Sequence, residues 1–116
     1  MAQTNIYIGK QKLPLELLDS QSVAEFIATS PATIFFEKDC QAQFRAQANA
    51  ISQNGRVIEE VSAGDLCYEP ASLRLWLFTK SQKLPKDRLL IKLGTTQQGW
   101  RAVEEEPELL LNKVIE

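Results

Sequence analysis

Short runs of alternating apolar and polar residues recur along the chain, and this two-residue period predicts β-strands. The first two runs, 5–9 and 13–18, are separated by Gly9 and a polar turn, and they predict an N-terminal hairpin. Pro14 has no N–H to donate, so the second strand is confined to an edge or to the start of a strand. The pattern therefore indicates a mainly β protein.

One segment in the first half of the chain has a helical period instead. Ser20 offers an N-cap oxygen, and Val23, Phe26 and Ile27 then follow at helical spacing. Pro31 ends the helix, because the residue before a proline is pushed out of the α region. We expect this short amphipathic helix to plug the open end of a small barrel.

The clearest alternation runs over 41–52, after a β-prone run over 32–39. Small or apolar side chains occupy one face of this strand. The opposite face carries Gln43, Arg45, Gln47, Asn49 and Ile51. Asn54–Gly55 follows and favours a two-residue type I′ turn, because both central residues of that turn need φ > 0. Such a turn would place Ile51 opposite Ile58 in a hairpin.

The most apolar strand comes after a Gly64–Asp65 turn and the turn residue Pro70. Its two faces carry Leu73, Leu75 and Leu77 on one side and Arg74, Trp76 and Phe78 on the other. Large apolar groups on both faces are typical of a strand that is covered on two sides. Because a barrel wall has only one interior, we expect the Trp76 face to be covered by the C-terminal segment or by a partner chain.

Residues 64–70 read Gly64-Asp65-Leu66-x-Tyr68-x-Pro70, and Leu73, Leu75 and Phe78 follow. This pattern resembles the signature of a small prokaryotic cyclophilin-like barrel family of unassigned function. The resemblance implies the closed β-barrel of the prolyl isomerases in reduced form. The chain departs from the family at Glu69 and at Ala71–Ser72, where a second aromatic residue and a glycine are usual. We therefore expect one domain over 1–116, a small closed or nearly closed cyclophilin-like β-barrel with one or two short helices.

The last third of the chain predicts two more strands and a helix. A polar loop over 81–87 leads into a strand over 88–93, and a short closing strand follows over 100–103. Acidic residues and Pro107 then precede the apolar run 109–115. Acids and a proline suit the N-terminus of a helix, so this run is interpreted as a C-terminal helix.

The composition removes most kinds of catalytic and metal chemistry. The chain has no histidine, which is the commonest general base and metal ligand. Its two cysteines, Cys40 and Cys67, are far apart, and no glycine-rich phosphate loop occurs. We expect no cofactor and no metal, and a function that leans away from catalysis.

Charge and hydropathy bear on partners and location. A net charge of −2 argues against a nucleic-acid partner, and no apolar run approaches the about 18 residues that would span a membrane. No signal-like apolar run follows Met1. We therefore expect both cysteines to be reduced thiols in a cytoplasmic protein.

Polar and aromatic side chains suggest a ligand site at one mouth of the barrel. The candidate residues are Arg45, Gln53, Tyr68, Arg74 and Trp76. The ligand would be a small molecule or a peptide, bound without catalysis. The same polar strand could instead simply face water, as one side of many antiparallel sheets does.

Two alternative functions stay open at this point. One is an oligomeric interaction module, such as a homodimer, that uses an exposed aromatic face. The other is a weak prolyl isomerase, since the spacing of Arg45 and Gln53 resembles that of the arginine and glutamine of a cyclophilin active site. Ala48 and Ala50 stand where that site has a proline and an aromatic residue.

Overall fold

The computed structural model describes residues 4–8, 13–40, 43–51, 56–96 and 108–115 of the 116-residue chain. These residues form twelve strands and one helix. In chain order they are β1 Thr4–Ile8, β2 Leu13–Pro14, β3 Glu16–Leu17, α1 Gln21–Thr29, β4 Thr33–Cys40, β5 Gln43–Gln47, β6 Arg56–Ile58, β7 Glu60–Val61, β8 Asp65–Glu69, β9 Arg74–Phe78, β10 Gln82–Lys83, β11 Leu90–Thr95 and β12 Glu108–Ile115.

The strands close into a nearly complete antiparallel barrel of eight strands, which confirms the predicted fold class. Seven of them follow one another in the order β1-β12-β4-β5-β9-β8-β11. The segment 13–17 is the eighth, because β2 pairs with β1 and β3 pairs with β11. Strands β7 and β10 form a separate two-stranded sheet.

Apolar side chains fill the interior of the barrel, as expected at this strand number. The buried residues of this interior core include Ile6, Ile8, Ile34, Phe36, Phe44, Leu66, Tyr68, Leu75, Leu77, Ile91, Leu93, Leu109 and Leu111. On β9 the alternation holds as predicted from Leu75 onward, since Leu75 and Leu77 point inward while Trp76 and Phe78 belong to a second cluster outside the wall.

A glycine allows the short segment 13–17 to close the barrel. The register between β11 and β8 shifts between Lys92 and Gly94, which marks a bulge at the closing edge. Gly94 then pairs with Leu17, and a Cβ atom at Gly94 would lie 2.5 Å from the carbonyl oxygen of Glu16. A side chain at this position would therefore push the closing strand away.

The predicted Gly64–Asp65 turn is present and uses the special properties of both residues. Gly64 has φ +93°, a conformation that side chains with a Cβ rarely adopt. The Asp65 carboxylate accepts a hydrogen bond from the backbone N–H of Ser62 at 2.9 Å. The turn thus places β8 in the barrel wall beside β9.

The predicted helix is confirmed as α1, which packs Val23 and Phe26 onto the interior core at one end of the barrel. Ser20 is its N-cap, and its hydroxyl oxygen accepts from the N–H of Val23 at 3.2 Å. At the other end, the Lys113 ammonium donates to the carbonyl oxygens of Ile27 and Ser30 at 2.8 and 2.6 Å. A cation at this position complements the helix dipole.

The predicted C-terminal helix is wrong, because the apolar run is the strand β12. This strand fills the gap between β1 and β4, with Leu109 and Leu111 inside and Leu110 44% exposed outside. The two open strand edges offer the run a full set of backbone partners, and this outweighs its local helix signals. The C-terminal segment therefore does not cover Trp76 as predicted.

The predicted hairpin register is also wrong. Strand β5 ends at Gln47, and β6 pairs with β11, so that Ile58 lies opposite Leu90 and not opposite Ile51. After Gln47 the chain leaves the strand pairing, and Ile51 becomes buried against the interior core, away from the polar face assigned to it. Asn54–Gly55 and the predicted strand over 100–103 lie outside the described residues.

Leu73 does not share a face with Leu75 and Leu77. It lies in the turn before β9 with φ 52°, and 39% of it is exposed. Its carbonyl oxygen accepts from the N–H of Ala48 at 2.9 Å, which fixes the turn against the end of β5.

Candidate ligand-binding site

The end of the barrel beside the C-terminus of α1 opens into a cavity of about 410 Å³, here called the mouth cavity. This volume is within the range of small-molecule sites. The lining residues are Phe26, Thr29, Ser30, Pro31, Ile34, Gln47, Ala48, Asn49, Ile51 and Leu75. They come from α1, from the start of β4, from the end of β5 and the segment after it, and from β9.

The floor of the mouth cavity is part of the interior core. Phe26, Ile34, Ile51 and Leu75 are all buried and belong to that core. The Tyr68 hydroxyl is 3.4 Å from the backbone nitrogen of Ile51, and this hydrogen bond holds the segment after β5 over the barrel end. The floor is thus an apolar surface that belongs to the packed interior.

The rim of the mouth cavity is polar and tied to backbone carbonyls. Asn49 Nδ2 donates to the carbonyl oxygen of Thr29 at 2.8 Å, which joins the segment after β5 to the end of α1. Gln47 Nε2 donates to the carbonyl oxygen of Leu73 at 3.1 Å. The arrangement is a preformed apolar pocket with oriented polar groups at its edge, as small-molecule sites generally are.

The structure does not bring the five predicted site residues together. Tyr68 is buried inside the barrel and supports the mouth cavity from below without lining it. Arg45 and Trp76 lie opposite each other on the outer face of β5 and β9, and Arg74 lies at the outer start of β9. Gln53 lies outside the described residues. The polar strand is thus mainly an outer surface of the wall.

Trp76 is only 6% exposed, but its cover differs from the one predicted. An outer cluster packs Val61, Cys67, Trp76, Phe78 and Leu90 together with Ile58 and Leu84. The covering residues come from 57–61 and 82–90, the segments around β7 and β10. The predicted burial of Trp76 is confirmed, but the cover is an internal connection of the same chain and not the C-terminal segment.

Arg88 and Glu69 complete the outer cluster, and neither was predicted to contact Trp76. The Arg88 guanidinium lies 4.7 Å from the centre of the Trp76 ring, and its Nε is 3.4 Å from Glu69 Oε2. Trp76 Nε1 donates to Glu69 Oε1 at 3.1 Å, and Ser72 Oγ donates to the same oxygen at 2.5 Å. Trp76 is therefore engaged in packing and is not open to a ligand.

The departure of this chain from the family pattern was the signal that could have found this cluster. Glu69 and Ser72 are positions at which the resemblance noted in the sequence predicts other residue types, and the structure joins them in one hydrogen-bonded group with Trp76. A carboxylate that is largely shielded from water, as that of Glu69 is, is usually paired with a cation. Arg88 is that cation.

A wider depression of about 900 Å³ runs along the surface of the segments that cover Trp76. Val57 and Leu89 line it together with charged residues of the same segments. Both apolar side chains are about half exposed. Both depressions are open to solvent, but the mouth cavity has a floor of interior-core side chains. The mouth cavity is therefore the better candidate for a ligand.

Ionisable groups near the outer cluster are arranged for structure. Burial, and secondarily the Asp65 carboxylate, raise the pKa of the Cys67 thiol well above its usual range, so this thiol stays protonated and is a poor nucleophile. Lys92 Nζ lies 3.4 Å from Asp65 Oδ1 and pairs with this buried carboxylate. Within the described part of the chain, no group of three or more Cys, Asp or Glu residues is placed to hold a metal ion.

The one helix of the described segments, α1 with nine residues, is too short to cross a membrane.

Comparison with known proteins bears on the fold. The model of the cyclophilin-like family matches residues 6–111, which leaves out five residues at each end of the chain. A search of curated proteins found no match. The matched range includes the helix α1, every described residue that lines the mouth cavity, and the strands of the barrel wall except the first two residues of β1 and the last four of β12.

Proposed function

The chain belongs to the cyclophilin-like family, and we propose that this member binds a small molecule, or the side chain of a peptide, in its mouth cavity without catalysing a reaction. The observation that carries the proposal is a cavity of about 410 Å³, whose floor consists of interior-core side chains and whose rim consists of polar side chains. Preformed apolar cavities with a few oriented polar groups are the usual form of small-molecule sites.

The lining residues favour binding over catalysis. The ten described residues around the mouth cavity are apolar or neutral polar, and none has a side chain that titrates near neutral pH. General acid–base catalysis needs such a group within hydrogen-bond reach of the ligand. Arg45, the residue on which an isomerase function would depend, lies on the outer face opposite Trp76 and does not line the cavity.

The expected affinity is modest for a fragment-sized ligand. Burying about 150 Å² of apolar surface would contribute roughly 4 kcal/mol, and because association also costs entropy, the Kd should be on the order of 1 mM or weaker before any polar contact is counted. Binding of this strength is measurable by chemical shift titration, so NMR is the appropriate assay.

Titration of toluene into isotope-labelled protein tests the cavity itself. Toluene is an apolar body without a polar head, and we expect it to shift the methyl signals of Ala48, Ile34 and Leu75 in a saturable manner. The variant Ala48→Phe should fill the cavity and abolish the shifts. Ala28→Phe is the matched control, because Ala28 is exposed on α1 and does not line the cavity. Shifts that are unsaturable, or that persist in Ala48→Phe, would reject the proposal.

A second candidate function, homodimer formation, is favoured by one exposed apolar pair on the outside of the barrel. Phe35 on β4 lies opposite Leu110 on β12, and the two are 48% and 44% exposed. Large apolar side chains that are exposed side by side are more typical of interaction surfaces than of plain monomer surface. Sedimentation velocity should show a dimer that Leu110→Lys dissociates, and a monomer at every concentration would reject this candidate.

A further inference from the structure

The polar rim of the mouth cavity offers more hydrogen-bond acceptors than donors. The polar side chains that line it are Thr29, Ser30, Gln47 and Asn49. All of them are uncharged. Their donors and acceptors therefore decide which polar groups of a ligand can be satisfied there.

The two hydroxyl groups use their protons within α1. Thr29 Oγ1 donates to the carbonyl oxygen of Glu25 at 2.7 Å, and Ser30 Oγ donates to the carbonyl oxygen of Phe26. A hydroxyl has one proton and two lone pairs. Towards a ligand, both groups can therefore act only as acceptors.

The two amide groups are oriented by backbone carbonyls. Asn49 contacts the carbonyl oxygen of Thr29, and Gln47 contacts that of Leu73. A carbonyl oxygen can only accept, so the contacting atom of each amide must be the nitrogen. Each NH₂ group has thus used one of its two hydrogens and keeps one, whereas Asn49 Oδ1 and Gln47 Oε1 accept no hydrogen bond from the described residues. With the two hydroxyl oxygens, the rim therefore offers four acceptor oxygens and two N–H donors.

The surroundings of the cavity favour an uncharged ligand. The C-terminus of α1 lies at the cavity, and its dipole is already complemented by the Lys113 ammonium, which bonds to the carbonyl oxygens of Ile27 and Ser30. A charged head group of either sign would lose hydration over the apolar floor without gaining a paired countercharge from the lining residues.

From this balance we infer that the ligand of the mouth cavity is a neutral molecule with an apolar body and an N–H or O–H donor, such as a primary carboxamide or an alcohol. The inference rests on the proposed function and names its ligand class. Carboxylates and other anions are poor ligands, and apolar molecules without a donor are intermediate ones.

Four probes with the same ring and different head groups test this inference. Benzamide and benzyl alcohol carry neutral donors, methyl benzoate carries only acceptors, and benzoate is an anion. The readout is the Kd from shifts of the Ala48 methyl and of the side-chain amide signals of Gln47 and Asn49. We expect benzamide to bind about 2- to 10-fold more tightly than methyl benzoate, the gain from one net hydrogen bond, and benzoate to bind most weakly.

The variant Gln47→Met tests whether the preference for benzamide over methyl benzoate depends on a rim side chain. It keeps a side chain of similar length and removes the Oε1 acceptor, so benzamide should lose affinity towards the value for methyl benzoate, which should itself change little. Gln43→Met is the matched control, because Gln43 lies on the same strand and does not line the cavity. A preference for benzamide that is lost in Gln47→Met and kept in Gln43→Met supports the inference.

The other outcomes overturn it in distinguishable ways. Equal Kd values for all four probes, or tightest binding of benzoate, would overturn the donor preference while the proposed binding function stands. Failure of all four probes to cause shifts that depend on Ala48 would overturn the proposed function and this inference together.

Discussion

The substitution Leu75→Ala tests how the wall of the barrel divides inside from outside. Leu75 is 1% exposed and lies between Ala46 on β5 and Tyr68 on β8. Leu→Ala changes at buried sites cost about 2–5 kcal/mol, and the cost depends on how far the neighbours relax into the space. Ala46 is too small to fill it, but Leu75 also borders the mouth cavity, which lets the space open to that side. We therefore expect about 3 kcal/mol.

Such a loss is a large part of the stability of a single domain, for which about 5–15 kcal/mol is usual. At roughly 4–8 °C per kcal/mol for a domain near this size, the Tm should fall by about 12–24 °C. Urea unfolding followed by circular dichroism gives the free energy, and a thermal scan gives the Tm.

Leu73→Ala is the matched control, since it deletes the same atoms two residues away. Leu73 is 39% exposed in the turn, and its backbone carbonyl contacts remain in the variant. Its cost should stay within about 0.5 kcal/mol. A loss below about 1 kcal/mol for Leu75→Ala, or equal losses for the two variants, would show that the assignment of the β9 faces is wrong.

Three further predictions concern the closing edge and the outer cluster. Gly94→Ala should cost about 2–3 kcal/mol in urea unfolding and speed hydrogen exchange around Glu16, because a Cβ atom would displace the closing strand; unchanged exchange would contradict this. Arg88→Met should cost about 1–2 kcal/mol through loss of its contact with the Trp76 ring, and Arg88→Lys less; equal stability of Arg88→Met and the parent would contradict it. The raised pKa of Cys67 means that the folded state holds the thiol proton more tightly than the unfolded state does. The free energy of unfolding should therefore be fully present below about pH 8.5 and fall above it. Cys67→Ala should show a smaller fall, and an identical pH profile of the two unfolding free energies would contradict this.

An element was predicted correctly where the hydrophobic period of the segment and the turn or capping residue at its end indicate the same structure. The Gly64–Asp65 turn follows from the φ > 0 that Gly64 can adopt, and the alternation from Leu75 to Phe78 separates two apolar faces that both need a cover. The helix α1 is predicted for the same reason, because its N-cap Ser20 and its apolar spacing agree.

The predictions that failed concern which segments meet across the fold. The run 109–115 is apolar enough for a helix or a strand, and only the open edges of β1 and β4 decide between them. The mouth cavity was missed for a related reason. Its lining combines Phe26, Ile34 and Leu75, each of which reads as an ordinary core residue in its own segment.

The position of β12 has a consequence for how the chain folds during synthesis. This strand leaves the ribosome after every other strand of the barrel, yet it belongs between β1 and β4, which are made early. Until β12 arrives, those two strands present unpaired edges, and the interior lacks Leu109 and Leu111. Ordering of the barrel is therefore a late event that joins the first and last strands across almost the whole chain, and such non-local pairing is slow. A nascent chain that stalls before β12 would be an open sheet that is prone to pair with its neighbours.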